Sequence, residues 1–178
     1  MNDVTNLKYL DRCLKESQRL YSTVPNITRK ISEDLELDGY KVPAGASISL
    51  QMYFLHRNPE YFPDPLTYDP DRFLPDRCVG RHPFAFVPFS AGPRNCLGRS
   101  NQQIQWFVVV LNAVKYETGQ KFATLEAKVI ISTLLRKFNF SYSPDRDPLR
   151  IEADLVLKFL DGVPLIITPR CWLLICNL

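Results

Sequence analysis

Phe89-Ser90-Ala91-Gly92-Pro93-Arg94-Asn95-Cys96-Leu97-Gly98 is the run from which the rest of this chain can be read. Six of its ten positions carry residue types with a distinct physical use. Gly92 can take a positive φ and Pro93 fixes the φ that follows, so the backbone can turn sharply. Gly98 lets the backbone approach a flat group without a Cβ in the way. A helix opening just beyond Cys96 would turn its N–H groups and positive end toward the sulfur, which favours the thiolate. Arg94 can form a charge-assisted pair with a carboxylate, and Phe89 can keep water from the sulfur. An ordinary buried thiol in a Gly/Pro turn needs none of Phe89, Arg94 and Gly98.

Outward from that run, the bounds are simple. The chain has 178 residues, enough for one domain with a core. Apolar residues make up 46%, which excludes a disordered composition, and a net charge of +3 is too mild to argue for nucleic acid. No unbroken apolar stretch reaches the roughly 18 residues that suggest a membrane helix. The start, Met1-Asn2-Asp3-Val4-Thr5, is not a signal peptide. The five cysteines, Cys13, Cys78, Cys96, Cys171 and Cys176, are odd in number and scattered, so reduced thiols are expected.

The spacing of Leu7, Leu10, Cys13, Leu14 and Tyr21 predicts a helix from about Thr5 to Leu20, within a segment 5–22, stopped before Pro25. Leu35-Glu36-Leu37 and Tyr40-Lys41-Val42 flank Asp38-Gly39, a hairpin signal, and Ile48 to Phe54 reads as another strand, so 35–54 is expected to be a small sheet. Eight of the fourteen prolines lie between Pro59 and Pro93. The segment 56–88 is therefore expected to be an irregular meander feeding the loop at 89–98. Phe122, Leu125, Val129 and Leu134 mark an amphipathic helix over about 120–138. Ile151, Ala153, Leu155, Leu157 and Phe159 alternate with mainly polar residues, Asp161-Gly162 turns the chain and Pro164 to Thr168 returns, a hairpin over 150–170. The expected class is mainly α with a small β component, in one partial domain.

The form Phe-x-x-Gly-x-Arg-x-Cys-x-Gly resembles the haem-thiolate loop of the cytochrome P-450 superfamily. The resemblance spans about Asn6 to Gly98 and Gly119 to Arg170. The wording Leu14-Lys15-Glu16-Ser17-Gln18-Arg19-Leu20-Tyr21, then His56-Arg57-Asn58-Pro59, then Phe122-Ala123-Thr124-Leu125-Glu126, is most similar to the family-4 branch in its insect-like form. The resemblance implies the C-terminal part of the P-450 fold. It implies haem b (iron protoporphyrin IX), with Cys96 as axial ligand to the iron and centre of catalysis. Arg94 and Arg29 match positions that bind haem propionates, and Phe89, Gly92 and Gly98 match positions that shape the pocket. The implied activity is hydroxylation of a lipophilic small molecule such as a fatty acid, using O2 and electrons from NADPH. The implied redox partner is NADPH-cytochrome P-450 reductase, docking on the Cys96 side, where Arg77, Arg81 and Lys121 are candidate basic contacts. Thr23 to Arg29 and the turn Phe159 to Val163 would line the substrate side.

By the same resemblance, Glu16 and Arg19, three apart on one helix face, match two members of a buried charge network. Its third member is Arg72 of Pro70-Asp71-Arg72-Phe73, and its role is structural. The family's location is the cytosolic face of the endoplasmic reticulum membrane, held by an N-terminal anchor that lies upstream of the matched region. A chain existing alone in this form would be cytosolic.

The chain departs from the family pattern in three ways. It matches only about the last third of such an enzyme, so a truncated product is one expectation. Gly98 and Gln120-Lys121-Phe122-Ala123 are separated by 21 residues, Arg99 to Gly119, whose deletion restores the pattern. That insert, with the sticky run Trp106-Phe107-Val108-Val109-Val110-Leu111, looks like a translated intron. Cys171 to Leu178 runs on past the usual Pro-Arg end. The rival readings are a truncated or mis-spliced chain without catalysis, and a small cytosolic zinc module built on Cys78, His82 and Cys96. The zinc reading lacks a clear fourth ligand. Faces that would meet the rest of the fold are expected to be exposed, giving poor solubility.

Overall fold

The computed structural model describes residues 2–92, 118–142 and 150–170. The chain forms two compact units, one of Arg12–Ala91 with Ala153–Lys158, the other of Met1–Asp11, Gly92–Glu152 and Phe159–Leu178. The helix predicted from Thr5 begins at Lys8 instead. Asn2–Thr5 forms its own short helix, α1. The Lys8 N–H then bonds the Asn6 C=O at 2.8 Å, a tight turn that interrupts the helical ladder, and α2 runs Lys8–Leu20. The C-terminal carbonyls of α2 find side-chain donors, as helix ends require. Ser22 Oγ donates to Gln18 C=O at 3.1 Å, and the Arg57 guanidinium donates to Leu20 C=O.

In the first unit β1 (Ile27–Lys30) pairs antiparallel with β4 (Ser47–Leu50), Arg29 opposite Ile48. Between them β2 (Leu35–Leu37) and β3 (Tyr40–Val42) form a separate hairpin. Its turn residues Asp38 and Gly39 have φ of 48° and 82°, the doubly positive pattern that matches strand twist. The stretch read as a strand from Ile48 to Phe54 divides. The strand stops at Leu50, and Met52–Leu55 is a one-turn helix, α3. There the Tyr53 N–H bonds Pro25 C=O at 3.0 Å and the Leu55 N–H bonds Gln51 C=O at 3.0 Å. The meander holds three short 3-10 turns, Pro70–Phe73, Asp76–Cys78 and Pro83–Ala85. The first is capped by the Asp69 side chain, which accepts from Asp71 N–H at 3.0 Å.

In the second unit α4 spans Thr118–Lys137 and runs directly into β5 (Phe138–Tyr142). Arg136 and Lys137 in its last turn suit the negative end of the helix dipole, and Lys137 C=O accepts from Arg170 N–H at 2.8 Å. The returning segment, β8 (Leu165–Pro169), pairs with β5, Phe140 opposite Ile167. It does not fold back on β6 (Ile151–Ala153) and β7 (Leu157–Phe159), so the C-terminal hairpin expected over 150–170 is a correction. The alternation of apolar residues marks a strand but not its partner. Phe138 and Phe140, half-buried at alternate positions, supply the edge that β8 joins. Apolar side chains stay open: Val129, Ile130, Leu134 and Leu135 on α4, and Ile166 and Ile167 on β8, are exposed.

Candidate functional site

Among the described residues, the buried centre of the first unit is more polar than apolar. Leu20, Met52, Phe62 and Ala85 are its buried apolar residues, whereas Glu16, Arg19, Ser22, His56 and Arg72 are buried polar ones. The reason lies in the meander. Its prolines remove backbone donors, so its carbonyls cannot be met by a strand ladder and must find side chains.

Arg19 and Arg72 meet them. Arg19 donates Nε–H to Glu16 Oε2 at 2.8 Å and Nη2 to Glu16 Oε1 at 2.8 Å. Its remaining donors go to carbonyls, Nη1 to His56 at 3.0 Å and Pro65 at 2.7 Å, Nη2 to Thr67 at 3.2 Å. The full donor fork of one arginine is thus in use. Arg72 donates to the Pro63 carbonyl, and its Nη2 to Asp64 C=O at 2.8 Å and Thr67 C=O at 3.4 Å. Its Nε lies 3.4 Å from Glu16 Oε1, a charge contact without hydrogen-bond alignment. Glu16 Oε1 also accepts from Asp69 N–H at 2.9 Å. The structure therefore brings Glu16, Arg19 and Arg72 together, and the triad holds the carbonyls of the segment from His56 to Thr67.

Phe62, with no exposed surface, lies between two guanidinium groups, Arg19 at 5.2 Å and Arg81 at 4.7 Å from its ring centre. Arg81 also donates to Arg72 C=O at 3.0 Å and Arg77 C=O at 3.3 Å, and its Nη1 is 3.7 Å from Cys78 Sγ. Its half-buried guanidinium is thus engaged with the meander. Arg77 is exposed and pairs with Asp69 at 3.2 Å. Lys121 is exposed.

Toward the cysteine loop, Phe89 is half-buried, and Ser90 N–H bonds Val87 C=O at 3.0 Å across a turn with Pro88 in second place. Ser90 has φ of 63° and Gly92 φ of 83°. A non-glycine residue with positive φ so close to a functional motif marks a constrained turn. Arg29 projects from β1 to this turn, its Nη2 3.3 Å from Ser90 Oγ, and it also donates to Thr28 C=O at 3.1 Å. Thr23 C=O, near the start of the expected substrate-side segment, accepts from Leu157 N–H at 2.8 Å. Arg94, Cys96 and Gly98 lie outside the described residues, as do 99–117 of the insert and 171–178. Gly119 and Thr118 belong to α4, so the helix opens inside the stretch read as an insert.

His56 is the residue whose part in this site spacing alone did not disclose. In the structure its Nε2 accepts from Val87 N–H at 3.0 Å and its Nδ1 meets Ser22 Oγ at 2.9 Å. Burial first, then Arg19 and Arg57, push its pKa down from 6.5 to about 4. No residue pattern signals it, because the group its Nε2 accepts from is a backbone N–H. His82, the other histidine, caps the Pro83–Ala85 turn, its Nδ1 accepting from Phe84 N–H at 3.2 Å. Among the described residues no three His, Cys, Asp or Glu side chains are grouped to hold a metal. No described helix is long and apolar enough to cross a membrane.

The described part of the loop fits a haem. Two positive-φ residues turn the chain ahead of the cysteine, a half-buried phenylalanine stands beside them, and a guanidinium reaches the turn. Beyond it the sequence continues with Arg94 and Cys96.

Comparison with known proteins agrees with this geometry. The family model described as Cytochrome P450 matches residues 1–112. The chain is 42% identical to Cytochrome P450 4c3 of Drosophila melanogaster, over 96% of this chain and 28% of that protein. It is 40% identical to Cytochrome P450 4V2 of Homo sapiens, over 92% of this chain and 27% of that protein. Among solved structures, the retinoic acid bound cyanobacterial CYP120A1 superposes with a TM-score of 0.78 at 28% identity, over 95% of this chain and 34% of that one. The chain thus spans under a third of the length of these curated relatives, and its helices and small sheets are part of the P450 fold. On these matches and on its own motif, the chain belongs to the cytochrome P450 family.

Proposed function

We propose that this chain is the haem-thiolate portion of a monooxygenase, with Cys96 as the axial ligand of haem b. The observation that carries the reading is the buried Glu16–Arg19–Arg72 triad, which fixes the meander whose end turns at Val87–Ser90 into the cysteine motif. Haem, when bound, would supply the activation of O2 for hydroxylation of a lipophilic substrate such as a fatty acid, with electrons from NADPH through NADPH-cytochrome P-450 reductase. The chain's own residues do the rest. Arg29 and Arg94 would hold the propionates by charge-assisted bonds. Phe89 would exclude water from the sulfur. Gly92 and Gly98 would let the backbone pass close to the ring. Lys121 and Arg77 offer exposed cations to a reductase, and Thr23 to Arg29 would face the substrate. The endoplasmic reticulum membrane is the location that goes with this function.

The insert from Arg99 to Gly119 favours a second reading, a chain that retains the supporting scaffold but not the haem site. In the family pattern a helix follows Cys-x-Gly directly and would aim its positive end at the sulfur, and the 21 residues from Arg99 to Gly119 interrupt that pattern in sequence. The carbon-monoxide difference spectrum of the reduced, haem-supplied chain separates the two. A strongly red-shifted Soret band, lost in Cys96→Ala, is expected for thiolate ligation. A spectrum of free or histidine-ligated haem would establish the second reading.

A further inference from the structure

His56 has no exposed surface, and both of its ring nitrogens are engaged. A backbone amide can only donate, so the Nε2 that meets Val87 N–H is the unprotonated acceptor and the ring proton sits on Nδ1. Nδ1–H then donates to Ser22 Oγ, whose own proton goes to Gln18 C=O. One tautomer therefore satisfies the whole chain of groups from the end of α2 to the meander. Val87 is held a second time, because its carbonyl accepts from Ser90 N–H in the turn that opens the cysteine motif. The Phe86 ring packs against both His56 at 5.1 Å and Phe73 at 4.8 Å, so the residue before Val87 is fixed as well. A protonated ring would set N–H against N–H at Val87, and the guanidinium groups of Arg19 and Arg57 both oppose that charge.

We propose that His56, as its neutral Nδ1–H tautomer, is a positioning residue for the cysteine loop, anchoring Val87, the first residue of the turn that launches Phe89 to Gly98, to the end of α2. The proposal rests on Cys96 being the haem ligand for its functional meaning, but the anchor itself is read without haem. Three variants of the full 178-residue chain test it. His56→Phe fills the space without an acceptor, His56→Gln restores an acceptor, and Ser22→Ala removes the partner that selects the tautomer. Nitrogen-15 shifts of the His56 ring should show Nδ1–H and no titration near neutral pH. Val87 amide exchange should quicken by about tenfold in His56→Phe relative to the amides of α2, the size expected for one lost buried hydrogen bond. It should quicken less in Ser22→Ala and return toward the parent rate in His56→Gln. With haem supplied, the red-shifted fraction of the carbon-monoxide spectrum should fall several-fold in His56→Phe and recover in His56→Gln. An Nε2–H tautomer in the parent chain, or Val87 exchange unchanged in Ser22→Ala and His56→Phe, overturns the anchor. If His56→Phe does not fold, the parent tautomer and Ser22→Ala still decide. A parent chain with no red-shifted band sinks the haem reading instead, while Val87 exchange rules on the anchor separately.

Discussion

Arg19 closes on both carboxylate oxygens of Glu16 at 2.8 Å, with neither side chain exposed. A pair so placed is costly to break, because the surviving charge stays buried without its partner. Arg19→Lys keeps the charge but offers three donors from a point in place of a five-donor fork. We expect it to cost about 1.5–3 kcal/mol through lost hydrogen bonds, and Glu16→Gln, which leaves the buried guanidinium without its counter-charge, about 3–5 kcal/mol. Urea midpoints of the two variants check this, and a loss below about 1 kcal/mol, the range of an exposed pair, would show that the triad is not the lock.

Arg81 and Arg77 look alike in sequence and should behave differently. Arg81→Met removes a guanidinium stacked on Phe62 and two donors to carbonyls, an expected loss of about 2–3 kcal/mol. Arg77→Ala loses one exposed ion pair and should stay within about 0.5 kcal/mol of the parent. Thermal denaturation of both variants under one buffer gives the comparison.

His56 makes stability depend on pH in a defined window. Its pKa is 6.5 when unfolded and about 4 when folded, so between those values the unfolded chain binds more protons. The contribution is complete above about pH 7 and is lost as the pH falls through 6.5 toward 4, reaching about 3 kcal/mol. Denaturation midpoints from pH 7.5 to 4.5 should fall, and the slope should flatten in His56→Gln. An equal slope in that variant would place the acid sensitivity elsewhere.

Lys128 on α4 meets Asp11 at 2.7 Å, with the lysine side chain 11% and the aspartate 25% exposed. Reduced access to water should raise the coupling above that of a surface pair. A double-mutant cycle on Lys128→Met and Asp11→Asn should give about 1 kcal/mol. A coupling near zero would mean that each partner is held by packing alone.

How much of this was legible in the sequence varies by range of interaction. The Asp38-Gly39 hairpin is local and could be read from the two turn residues. Glu16 and Arg19 announce themselves by helical spacing, but their joining to Arg72 came only through the family resemblance. The split of Ile48 to Phe54 was not legible, because a short apolar run has no distinct period and the Pro25 carbonyl that draws Tyr53 into a helical turn is far off in sequence. The partner of β8 was hidden for a similar reason, since alternation fixes a face and leaves the neighbouring strand open. The tie from His56 to Val87 joins a side chain to a backbone group, and backbone groups leave no trace in a sequence.

The five carbonyls of the meander that Arg19 and Arg72 hold have a further consequence. A proline-rich peptide with so few donors of its own carries no instruction for its final path. The instruction is stored in two side chains of α2, Glu16 and Arg19, and in one arginine that folds back from the far end. The segment is cast against a mould, and its path is written in three side chains rather than along its own length.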